Sequence, residues 1–124
     1  MRTVDIQIGT KRTVSAIAIG KDVPIYQDEL FPHIDKKQKC RINIHIEFLS
    51  NRQFPVENTS ISEQLKGYGN LYELKPKPFR LFFFVVGNRA IITHGFIKKK
   101  RTTDVSQINR AVSLRDRWFR EMEQ

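Results

Sequence analysis

The sequence predicts an α+β fold: a small single domain with an antiparallel sheet and a C-terminal helix. Three observations predict it. Two strand-like runs, Phe79–Val86 and Ala90–Ile97, are joined by a short Gly87-Asn88 connection, so antiparallel pairing is the simplest arrangement. From Asp104 the apolar period changes to that of a helix. The length of 124 residues fits one domain, and such a chain buries about two-thirds of the surface it would expose unfolded.

Taken in order, Val4-Asp5-Ile6-Gln7-Ile8 alternates as a half-buried strand does. Gly9 to Arg12 reads as a turn. Val14 to Ile19 is a second strand, closed by Gly20. Residues 25–31 predict one short helix before Pro32. The stretch 35–53 supports two readings. Ile42, Ile44, Ile46 and Phe48 alternate strictly, and β-branched residues favour strands. Yet Asp35 is a candidate N-cap, and Ile42, Ile46 and Leu49 share one helical face. Residues 54–63 are polar and read as loop. Gly67 to Asn70 is a turn, and Leu71 to Lys75 a short strand ended by Pro76 and Pro78. Phe79–Val86 is the most apolar run, which predicts a central strand covered on both faces. In the last segment Asp104 and Gln107 have the spacing of a capping box. Val105, Ile108, Ala111, Val112, Trp118, Phe119 and Met122 form its apolar stripe.

Charge is the informative part of the composition. The formal net charge is +9. Residues 75–101 hold eight basic side chains and no acidic one, whereas residues 1–74 hold ten basic and nine acidic. The excess therefore sits on the two strands of the hairpin and their ends. A rigid cationic hairpin suits a polyanion, of which a phosphodiester backbone is the commonest. Apolar content of 40% and charged content of 28% are ordinary for a soluble protein. A lone cysteine, Cys40, excludes an internal disulfide and fits a reducing compartment. No apolar run approaches the roughly 20 residues of a bilayer span, and the N-terminus has no signal-peptide pattern. The expected location is the cytoplasm, with no membrane partner.

Few residues suit catalysis by other routes. His33, His45 and His94 are scattered and lack metal-ligand spacing, so no metal site is expected. Neither GxxxxGK nor GxGxxG occurs, and no GxSxG elbow is present. The remaining candidates lie on the hairpin. Arg80 opens the central strand, where its guanidinium could fork onto phosphate oxygens or pair with Glu73 on the neighbouring strand. Lys98, Lys99 and Lys100 close the next strand, and alternation would send Lys99 to the opposite face. Tyr72 and Phe79 lie near the basic mouth, able to stack on bases or to fill core. His94 is the window's only side chain that titrates near neutrality, and a core or edge histidine is its commoner role.

Three ordered segments carry a resemblance: Gly69 to Lys75, with its Leu-Tyr-Glu-Leu; Phe79-Arg80-Leu81-Phe82-Phe83; and Ile91 to Lys100, with its His-Gly-Phe-Ile-Lys-Lys. Together they resemble the phage-derived, HigB-like branch of the RelE/ParE toxin superfamily. Ala111 and Arg115 of the last helix fit the same pattern. The resemblance covers residues 65–117 well, 35–64 loosely and 1–34 poorly. It implies a RelE-like fold: one domain over 1–124, a twisted antiparallel sheet with N-terminal helices packed on it, and a C-terminal helix. Residues 35–53 are then helical, and the N-terminal strands are an addition at the sheet edge.

The resemblance further implies a toxin of a type II toxin–antitoxin system that cleaves mRNA without metal or other cofactor, free or on the ribosome. Cations would stabilise the transition state while an acid and a base move protons. By position, Arg80, Lys98 and Lys99 take the catalytic places. Lys75, Arg80, Lys98, Lys99, Lys100, Arg101 and Tyr72 form the RNA-binding set, with Lys100 and Arg101 at its periphery. Lys77 and Arg89 are peripheral cations. His94 and Glu73 are the acid–base candidates. No Tyr or His follows Lys100, where several RelE-type nucleases place one. The implied partner is a cognate antitoxin, HigA-like with a helix-turn-helix. Two other functions remain open at this point: a ParE-like toxin that binds DNA gyrase, and a non-catalytic RNA-binding or phage accessory protein.

Overall fold

A computed structural model gives the architecture and describes residues 1–52, 61–99, 101 and 104–122. In chain order the elements are β1 (Arg2–Ile8), β2 (Thr13–Ala18), α1 (Ile25–Leu30), a 3-10 turn (Phe31–His33), α2 (Lys36–Asn51), β3 (Ser62–Gln64), β4 (Tyr72–Leu74), β5 (Phe79–Val86), β6 (Arg89–Ile97) and α3 (Val105–Met122). The six strands form one sheet in the order β1-β2-β6-β5-β4-β3. The fold class is α+β, as the sequence predicts. The pairings are antiparallel except at β2 and β6, which run parallel with Ser15 opposite Ile91. The N-terminal hairpin thus extends the sheet beside β6, and its β1 is the edge strand.

The β5–β6 hairpin forms because Gly87 takes a positive φ of 59°, which a two-residue connection demands. Apart from Arg80, β5 is apolar because helices cover both its faces. Phe79, Leu81 and Phe83 point into a core with Tyr26 and Leu30 of α1 and Ile42, Ile46 and Leu49 of α2. Phe84 meets Trp118 of α3, and Phe82 meets Ile108 and Ala111 of α3. Each of these β5 side chains is essentially removed from water, worth about 1.5–3 kcal/mol for a fully buried phenylalanine or leucine.

Residues 36–51 are helical despite the alternating isoleucines. Asp35 accepts a hydrogen bond from the Gln38 backbone N–H at 2.8 Å, and the Gln38 side chain receives the Asp35 N–H at 3.0 Å. This capping box sets the helical register, and that register buries Ile42, Ile46 and Leu49 together. Ile44 is left 63% exposed, the cost of putting an alternating run on a helix. At the other end of α2, the Ser50 carbonyl accepts from the backbone N–H groups of Lys11 and Arg12, each at 3.0 Å. The Arg12 guanidinium donates to the carbonyls of Leu49 and Arg52. The turn of the N-terminal hairpin therefore caps α2.

Other expectations shift in detail. Of the stretch 54–63, read from the sequence as loop, residues 54–60 lie outside the described residues, and Ser62 and Glu63 belong to strand β3, a short polar edge strand whose side chains give little periodic signal. Asp104 does not form a full capping box. Its carboxylate accepts from the Ser106 N–H at 2.9 Å, while the Gln107 side chain turns to His94. The α3 stripe is buried at Ile108, Ala111 and Trp118 but exposed at its ends, Val105 and Met122. Among the described residues no helix is long and apolar enough to cross a membrane.

Candidate functional site

The cations predicted from the sequence converge at one end of the sheet. β4 and β5 pair antiparallel with Leu74 opposite Leu81, so the chain between them turns at Lys77 and Pro78. The same end receives the end of β6, where the Lys98 N–H donates to the Pro78 carbonyl at 2.9 Å. An open groove of about 480 Å³ results, lined by Lys77, Pro78, Arg80, Lys98, Lys99 and Arg101. Five of these six side chains are cationic. Because β6 ends at Ile97, strict alternation lapses there. Lys98 and Lys99 consequently reach the same groove, contrary to the opposite-face placement that an unbroken strand predicts. Lys77, expected to be peripheral, is part of the lining. Arg89 lies at the far end of β6, 3.6 Å from Asp5. Lys100 falls outside the described residues.

Arg80 forms the floor of the groove and is 8% exposed. Its Nε lies 3.0 Å from Oε1 of Glu73, itself 4% exposed. The two charges are in contact, but the atoms are not aligned as a hydrogen bond. Nη1 donates to the Phe79 carbonyl at 2.8 Å. Arg80 thus does what the pairing alternative anticipated while also facing the groove. A guanidinium so fixed lies beneath the lysines with its charge balanced by Glu73.

A second groove adjoins the first. Arg41 and His45 of α2, Ile61, Lys75 and Lys77 line it, so Lys77 is common to both. Arg41 Nη1 donates to the Lys77 carbonyl at 2.8 Å and fastens α2 to this junction. Lys75 belongs to this second groove and pairs with Glu63 at 2.5 Å. That hydrogen bond, with the lysine's charge, holds the Glu63 carboxyl below the usual range.

Two predicted residues stand elsewhere. Tyr72 packs on the core facing α1 and α2, its ring stacked 5.4 Å from Phe83. His94 is fully buried. Its Nε2 lies 2.9 Å from Oε1 of Gln107 on α3, and its Nδ1 3.3 Å from the Thr93 hydroxyl. Burial lowers its pKa to about 4, against the opposing effect of the Gln107 bond. Both ring nitrogens are engaged, so His94 ties β6 to α3 as a core histidine. Sequence reasoning missed His45 and Arg41 because they lie over 25 residues upstream of the basic window, on an element whose type was ambiguous.

The fold and groove define a small α+β domain with a cationic cleft at one end of a mixed sheet. Residues 29–116 match the family described as phage derived protein Gp49-like (DUF891). The chain belongs to this family, a toxin-like member of the RelE/HigB-type toxin superfamily. The match includes the loosely resembling stretch 35–64 and begins after β1 and β2, consistent with a poor resemblance over 1–34. It does not single out the HigB-like branch. No curated protein matches the chain.

Proposed function

We propose that this protein is the toxin of a type II toxin–antitoxin pair and acts in the cytoplasm as a metal-independent mRNA endoribonuclease, on free or ribosome-bound message. One observation carries the reading: five cationic side chains from the β4–β5 connection, β5 and the end of β6 converge on one open groove. Such a surface suits the evenly charged, sequence-independent backbone of single-stranded RNA. Lys98, Lys99 and Arg101 at the rim meet phosphates by exposure, and Arg80, paired with Glu73, forms the floor below. The same positive field favours fast capture by an acidic antitoxin segment, here assigned to a helix-turn-helix partner of HigA type.

The test uses the rim lysines, because Arg80→Ala would leave Glu73 buried without its partner and confound activity with stability. Induced without antitoxin, the protein should arrest growth and fragment transcripts. Lys98→Ala combined with Lys99→Ala should relieve both while the protein still accumulates folded. Arrest accompanied by intact transcripts and gyrase-dependent DNA damage would contradict the proposal.

A further inference from the structure

Among the described residues, the basic groove has no available proton acceptor of its own. Glu73 is buried against Arg80, and His94 is buried with both nitrogens engaged. The adjoining groove supplies one. His45 is half-buried on α2, and its Nδ1 lies 3.0 Å from the Arg41 carbonyl. A carbonyl oxygen only accepts, so in the neutral ring Nδ1 carries the proton and Nε2 is left with a lone pair. The groups facing this imidazole are Arg41 from its own helix and Lys75 and Lys77 from the segment after β4, with Glu63 of β3 paired to Lys75. Lys77 also lines the five-cation groove, and the Arg41 bond to its carbonyl holds the two grooves together.

We propose that His45 is the catalytic base of RNA cleavage, an assignment that rests on the endoribonuclease reading above. An RNA strand follows the two grooves across Lys77, with one phosphate among the cations and the adjacent ribose beside His45. The 2′-hydroxyl gives its proton to Nε2 of His45 as the 2′-oxygen bonds to phosphorus. The P–O5′ bond breaks, and the departing 5′-oxygen takes a proton from water. The products are a 2′,3′-cyclic phosphate end and a 5′-hydroxyl end. The protonated imidazole then returns its proton to solvent. The lysines and arginines hold the charge that accumulates on the phosphoryl oxygens.

The experiment compares the full-length protein with His45→Asn on naked single-stranded RNA and on message bound to ribosomes. The asparagine amide can still donate to the Arg41 carbonyl but offers no base. Cleavage should fall about 100-fold or more, the usual contribution of a positioned base. RNA affinity and the unfolding midpoint should stay at the wild-type values. Wild-type products should end in 2′,3′-cyclic phosphate. A variant that cuts at the wild-type rate overturns the role of His45 and leaves the endoribonuclease reading standing. Parallel loss of affinity and cleavage makes His45 a binding group and overturns its role as base. A wild-type protein that binds RNA yet cuts neither substrate overturns both readings.

Discussion

At the scale of single residues, His94 carries a stability signature. Its imidazole is neutral in the folded protein because burial lowers its pKa from 6.5 to about 4. In the unfolded chain it takes up a proton at about pH 6.5. Below that value the unfolded state binds the extra proton, so stability falls with acidification from about pH 6.5 down to about pH 4. The loss reaches up to about 3 kcal/mol, at 1.36 kcal/mol for each unit of separation. Denaturant unfolding at pH 7 and pH 4.5 should show the decline, and His94→Gln should lose most of it. A flat profile over that interval would contradict the buried, neutral histidine. The lowered carboxyls of Glu29 and Glu63 act at lower pH: each is held down by a cation, and its contribution disappears as pH falls below about 4.5.

At the scale of elements, the residues that carry the family resemblance turn out to build the sheet. Asn70 accepts the Val85 N–H at 2.9 Å and donates to its carbonyl at 2.8 Å, which prolongs the β4–β5 pairing beyond β4. Arg115 of α3 clamps the preceding turn through the Tyr68 carbonyl at 2.7 Å. Gly95 has no side chain because α1 packs there; a Cβ would collide with Leu81 and Leu30. Gly95→Ala should therefore cost about 1–3 kcal/mol, the usual penalty for overpacking. A thermal melt reads this, and an unchanged midpoint would show that α1 does not lie tightly on β6. The hairpin and α3 were legible from sequence because each is set by local period and turn chemistry. α2 was legible only in part, since its isoleucines alternate like a strand and its Asp35 cap decides otherwise. The parallel pairing of β2 with β6 joins residues more than 70 positions apart, and nothing local encodes it.

At the scale of the whole molecule, the concentration of charge in residues 75–101 becomes a place. The sequence groups Lys75, Arg80, Lys98 and Lys99 as phosphate ligands and sets Arg101 at their periphery; the ends of β5 and β6 bring Arg80, Lys98, Lys99 and Arg101 to one groove, while Lys75 lines the adjoining one. Lys77, a peripheral cation by sequence, sits in the turn between β4 and β5 and so lines both grooves. Arg41 and His45 were invisible as site residues, because only tertiary packing carries α2 to the β4–β5 junction. The hairpin β1–β2 lies outside the family match. It adds an edge to the sheet opposite β3 and caps α2 through Ser50, so it supports the helix that presents His45.

The most direct test of the account is the salt dependence of single-stranded RNA binding by the wild-type protein and by a Lys77→Ala, Lys98→Ala, Lys99→Ala variant. Each phosphate contact on a single strand contributes about 0.7 to the slope of log affinity against log salt. The account predicts that the variant binds more weakly at every salt concentration, with a slope smaller by about 2. Equal affinity and an equal slope would show that the groove is not where the protein meets RNA.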